Sequence, residues 1–95
     1  MKRTSAAELS RKLGVSPARG MEAVIKAQLI DAVLRVVERQ SMTHTELARR
    51  SGLSRSAVTG ILSGSLQKVT IDRVLRLVEA ARLVAEVRVK KRGTA

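Results

Sequence analysis

Between Thr43 and Gly64 the sequence is punctuated so closely that it leaves room for one local architecture. Thr43 stands as an N-cap with Glu46 three residues on, the capping-box spacing in which each side chain satisfies the other residue's free backbone N–H. The helix this starts runs through Leu47 and Ala48 and stops at Gly52, where a left-handed C-terminal conformation costs a glycine little. Ser54 then caps a second helix, with Ala57, Val58, Ile61 and Leu62 supplying its buried side and Gly64 ending it. Two short helices joined only by Gly52 and Leu53 must turn sharply against each other.

The flanking segments supply the body such a pair would pack on. Met21 to Arg39 reads as the longest helix, with Ile25, Leu29, Val33 and Val36 at helical spacing. Val24, Ile30, Leu34 and Val37 widen its stripe, while Glu22, Lys26, Arg35 and Arg39 are expected on the surface. After the loop from Ser65 to Val69, Thr70 can cap a further helix with Ile71, Val74, Leu75 and Val78 on one side and Asp72, Arg73, Arg76 and Glu79 in water. From Leu83 the period falls to two: Leu83, Ala85, Val87 and Val89 alternate with Val84, Glu86, Arg88 and Lys90, a strand pattern that needs a partner edge from another copy of the chain or from a different protein. Near the start, Glu8 to Ser16 echoes Glu46 to Ser54 in residue character, but Pro17 takes the N1 position after Ser16 and no apolar second helix follows. The expected layout is therefore a basic N-terminal arm with a short helix (1–20), a domain (21–82) with its motif at 43–64, a strand (83–90) and a disordered tail (91–95).

Composition narrows the chemistry. In 95 residues there is room for one small domain with a thin core. That core must be aliphatic, since no residue is Phe, Tyr or Trp, and this favours packed helices, an all-α class. The absence of Cys removes disulfides, thiolate catalysis and Cys-based zinc sites. His44 is the single histidine, without a nucleophile partner or ligand set, and no paired carboxylates are recognisable. The expectation is a non-enzyme with no cofactor and no metal. Met1 to Ala18 contains no apolar signal-peptide core, and no stretch approaches the roughly 20 apolar residues of a membrane span, so a cytoplasmic, nucleoid-associated protein is expected, with no membrane partner.

The net charge of +11 is densest at the two ends. Such a surface speeds encounter with polyanions and suits phosphate neutralisation. Single-stranded RNA is disfavoured because no aromatic side chain is available for base stacking. Duplex DNA fits the central segment better. Ala48 is the small residue where the second short helix crosses the first, Gly52 makes the turn, and Leu47, Leu53, Val58 and Ile61 fill the contact between them. That leaves Arg55, Ser56 and Thr59 facing outward at the start of the second helix, the positions that enter a major groove.

Arg55 can donate two hydrogen bonds to guanine O6 and N7, the alternatives being a phosphate contact or a solvated side chain. Ser56 and Thr59 can bond base edges or touch a thymine methyl, and Ser56 could instead assist the cap. Thr43, His44, Arg49, Arg50, Ser54 and Lys68 form the expected phosphate-contacting set, which positions a protein without reading sequence. His44 lies in the first turn of its helix, the end that attracts anions. Lys2 and Arg3 could reach a minor groove, or simply be a solvated end.

The run Thr43-His44-Thr45-Glu46-Leu47-Ala48-Arg49-Arg50-Ser51-Gly52-Leu53-Ser54-Arg55-Ser56-Ala57-Val58-Thr59-Gly60-Ile61-Leu62-Ser63-Gly64 resembles the phage-repressor-like (XRE-type) helix-turn-helix family. Leu66, Lys68, Thr70, Ile71, Val74, Leu75, Val78 and the segment Ala85 to Val89 further resemble the subgroup of HigA-type antitoxins. The likeness covers about residues 26 to 89. It implies a five-helix repressor-like DNA-binding domain with a short C-terminal β-strand pairing in a homodimer, and palindromic operators, often of the protein's own operon. It points to a sequence-specific double-stranded DNA-binding transcriptional regulator acting as a repressor, or alternatively to an antitoxin that covers a toxin protein and represses the shared operon. Three positions depart from the family: His44 stands where a bracing, phosphate-contacting Gln is common, Gly60 where a longer polar residue is usual, and Arg82 where many relatives have Gly.

Overall fold

Four helices make up the regular structure of the computed structural model, which describes Gly14 and residues 16–93. They are α1 (Pro17–Gln40), α2 (His44–Ser51), α3 (Arg55–Leu62) and α4 (Ile71–Ala80). The echo helix expected around Glu8 and the Lys2–Arg3 arm lie outside the described residues, and the described residues contain four helices where five were expected.

α1 begins at Pro17, one turn ahead of the expected Met21, because Ser16 is its N-cap: the hydroxyl accepts from Arg19 N–H at 3.3 Å, and Pro17 at the first position sacrifices no bond. It packs mainly on α4, while α2 bridges α3 and α4. The core collects Ile30 and Val33 from α1, Leu47 from α2, Val58, Ile61 and Leu62 from α3, and Val74, Leu77, Val78 and Ala80 from α4. Leu29, Val36, Val37, Met42, Leu53, Leu66, Val69 and Leu83 close over its edges. Ile25 and Leu34, expected in the α1 stripe, stay exposed.

α4 is rotated from the expected orientation. Its sequence contains two overlapping helical stripes, 71-74-75-78 and 74-77-78-81. The second is buried, with Leu77 fully enclosed, and Ile71 and Leu75 of the first are left at the surface. Lys26 is a second correction. Expected in water, it is only 5% exposed, for it falls on the same face of α1 as Ile30 and Val33. Its stem lies in the core and its ammonium reaches the Leu66 carbonyl at 3.5 Å and the Glu22 carboxylate at 3.7 Å, so a cation is tied to the loop after α3.

Each of the four helices is followed by a left-handed residue: Ser41 after α1, Gly52 after α2, Gly64 after α3 and Arg82 after α4. α3 finishes through Gly64 (φ 99°): Ser65 N–H donates to the Gly60 carbonyl and Gly64 N–H to that of Ile61, so the helix itself ends at Leu62. α4 finishes by the same scheme through Arg82 (φ 61°), with Leu83 N–H on the Val78 carbonyl and Arg82 N–H on that of Glu79. The departure noted in the sequence thus sits where the backbone asks for glycine, and the side chain carries the strain. Beyond it, residues 84–93 contain no helix and no paired strand. The expected strand 83–90 does not form because no neighbouring edge among the described residues meets it.

Candidate nucleic-acid interface

The turn between α2 and α3 is built from both its residues and its neighbours. Gly52 takes φ 76° and its N–H closes onto the Ala48 carbonyl. The buried Ser51 hydroxyl then donates to the same carbonyl at 3.4 Å and accepts from Leu53 N–H at 3.2 Å, holding the two residues of the turn in place. Thr43 caps α2 by accepting from Glu46 N–H at 3.0 Å, and Ser54 caps α3 by accepting from Ala57 N–H at 3.0 Å. Only half of the expected capping box forms, since the Glu46 carboxylate turns away from Thr43 to the Arg50 guanidinium, 2.6 Å away.

Leu47 and Val58 are fully buried where the helices meet, with Ile61 and Leu62 beside them. With that side of α3 committed to the core, Arg55, Ser56 and Thr59 are all exposed on the same short helix. Because Ser54 caps α3 through its third N–H, the backbone N–H groups of Arg55 and Ser56 also remain at an open, electropositive helix end. The cap hydroxyls of Thr43 and Ser54 accept from their helices, which leaves each O–H proton to donate outward.

The cations of the motif fall into two kinds. Arg49 and Arg55 are exposed and pair with no carboxylate among the described residues, and the same holds for Lys68 in the loop after α3. Arg50 is a strut. Half-buried, it donates to Glu46 within α2 and to the Ala80 carbonyl at 3.2 Å, tying α2 to the last turn of α4. Its guanidinium is held on two sides within the domain, although adjacent Arg49 and Arg50 look alike in the sequence.

His44 is where sequence reading found a residue and missed its partner. Its Nδ1 lies 2.8 Å from Thr59 Oγ1, a hydrogen bond from the start of α2 to the middle of α3. One candidate phosphate contact thereby holds one candidate base reader. The spacing of fifteen residues shows no local periodicity that would have announced the pair.

A family model for a helix-turn-helix domain matches residues 8–90, most of the chain and the whole of α1 to α4. The chain belongs to this helix-turn-helix family. No curated protein and no solved structure matches it. Within the matched residues, α2 and α3 are the pair joined by the tight turn, and α1 and α4 the platform that buries the apolar side of that pair. No helix among the described residues is long and apolar enough to cross a membrane.

Proposed function

We propose that the chain is a sequence-specific double-stranded DNA-binding transcriptional regulator, a repressor that acts as a homodimer at the nucleoid. The observation that carries this reading is that Arg55, Ser56 and Thr59 are exposed together on α3, a short helix whose opposite side is locked into the core. α3 is then the helix that enters the major groove, and two copies would present it about 34 Å apart, one turn of B-DNA. Arg55 reads guanine through O6 and N7, Ser56 and Thr59 contact neighbouring base edges, and His44 holds the Thr59 hydroxyl while its ring faces the backbone. Thr43, Arg49, Ser54 and Lys68 hold phosphates. Arg50 is left out of that set because both terminal nitrogens of its guanidinium already hold partners within the domain, Ala80 and Glu46.

The antitoxin alternative keeps the same DNA-reading face and adds a toxin. The side chains such a partner would cover are Met21 and Ile25, exposed one turn apart near the start of α1.

Selection of bound duplexes from a random pool, followed by fluorescence anisotropy on the selected site, tests the reading. Arg55→Ala should cost about 1–3 kcal/mol on that site and relax preference at one base pair. An equal loss on selected and random DNA would remove direct readout by Arg55, and no enrichment from the pool would remove sequence-specific binding.

A further inference from the structure

We infer that Lys26 is a positioning residue for DNA binding: from within the core it fixes the turn from Leu66 to Val69, and with it the phosphate contact of Lys68. The inference rests on the DNA-binding function proposed above and adds to it a residue that does not touch the duplex.

The loop between α3 and α4 is short and closed on itself. Gly64 ends one helix and Thr70 caps the next. Between them Val69 N–H donates to the Leu66 carbonyl at 3.2 Å, which makes a turn with Gln67 and Lys68 at its exposed tip. Leu66 and Val69, the two ends of that turn, pack against the core. The backbone N–H groups of Ser65, Leu66 and Val69 all bond locally, to the carbonyls of Gly60, Gly64 and Leu66. The Lys26 ammonium adds a polar tie from a different helix, and it falls on the carbonyl that closes the turn, 3.5 Å away.

The chemistry of position 26 gives the ammonium a purpose beyond packing. Lys26 lies one turn before Ile30 on the buried face of α1, a place that methionine would fill without taking a charge out of water. Its acceptors are the Glu22 carboxylate at 3.7 Å and the Leu66 carbonyl. Glu22 belongs to α1 itself and is half exposed, so that pair contributes little. The carbonyl is the partner that joins α1 to another part of the fold. Because α1 packs on both α3 and α4, the bond refers the Lys68 turn to the platform that also holds the reading helix. A loop already held in its bound arrangement needs less ordering when it meets a phosphate.

Salt titrations of binding to the selected duplex test the idea. Lys68→Ala should lower the slope of log affinity against log salt by about 1, the loss of one phosphate contact, and Lys26→Met by at least about half as much. The two changes together should bind like Lys68→Ala alone, since the first acts through the second. Glu22→Gln combined with Lys26→Met restores the wild-type net charge and should keep the Lys26→Met loss, which separates positioning from charge. Without DNA, amide exchange at Val69 in Lys26→Met should quicken roughly tenfold relative to that at Leu77. Lys26→Gln, too short to reach the carbonyl, carries the same expectations if Lys26→Met does not fold. Additive losses in the double variant, a slope unaltered by Lys26→Met or by Lys68→Ala, or unaltered relative exchange at Val69 would each overturn the proposal while DNA binding stands. A wild-type chain that binds no duplex would instead remove the DNA-binding function, and this proposal with it.

Discussion

The motif at α2–α3 and the segment after Ala81 are equally regular in sequence and end in opposite physical states. In the first, apolar residues at helical spacing meet the stripes of α1 and α4, and Leu47 and Val58 lose all contact with water. In the second, only Leu83 reaches the core, the apolar residues beyond it meet no partner strand among the described residues, and three valines stand in solvent. A helix satisfies its own backbone and needs only a surface for its apolar side. A strand needs a neighbour for its backbone as well. Patterning therefore suffices for the first region inside one chain and only states a requirement in the second.

The largest expected effect breaks the comparison at its buried end. Leu47→Ala should cost about 2–5 kcal/mol in urea unfolding, as a core cavity does, whereas Val87→Ala should change the unfolding of the monomer by less than about 0.5 kcal/mol. Comparable losses at both positions would mean that the C-terminal segment is part of the monomer's core.

Arg50 and Arg49 sharpen the contrast within the motif. Arg50→Ala removes the tie to Ala80 and the pair with Glu46, and should cost about 1–2 kcal/mol of stability with a small effect on DNA affinity at temperatures where the variant is folded. Arg49→Ala should leave stability within about 0.5 kcal/mol and lower the slope of log affinity against log salt by about 1. A reversed pattern would return Arg50 to the phosphate set.

At the junction of the two regions, Arg82→Gly should raise stability by about 0.5–1 kcal/mol. The gain from relieving a left-handed arginine exceeds the extra chain entropy of glycine. A lower melting temperature would mean that the Arg82 side chain contributes more than its backbone costs.

An effect of similar size concerns His44. His44→Ala frees the Thr59 hydroxyl and should weaken the selected DNA site by about 0.5–1.5 kcal/mol while broadening preference at the base pair Thr59 faces. His44→Gln, which keeps a side-chain hydrogen-bond partner for Thr59, should recover the preference. A loss equal on all sequences would reduce His44 to a phosphate contact.

What was legible in advance follows the range of the interaction. The caps at Thr43, Ser54 and Thr70, the turn at Gly52 and the outward placement of Arg55, Ser56 and Thr59 depend on residues three or four apart, and spacing shows these directly. Lys26 could have been found by the same means, since it shares a helical face with Ile30 and Val33. Its charge directed the reading to the surface, although the long stem allows burial when the ammonium has a carbonyl to reach.

By itself, then, the sequence determined where helices start and stop, that two of them turn on each other, and which edge of α3 is polar, because backbone satisfaction and side-chain periodicity act within a turn or two of chain. Only the tertiary structure decided which of two stripes α4 buries, that Arg50 donates to the Ala80 carbonyl thirty residues away, and that His44 meets Thr59. Those outcomes depend on how rigid helices settle against one another, and a rotation of one helix exchanges its buried side chains without altering any local signal.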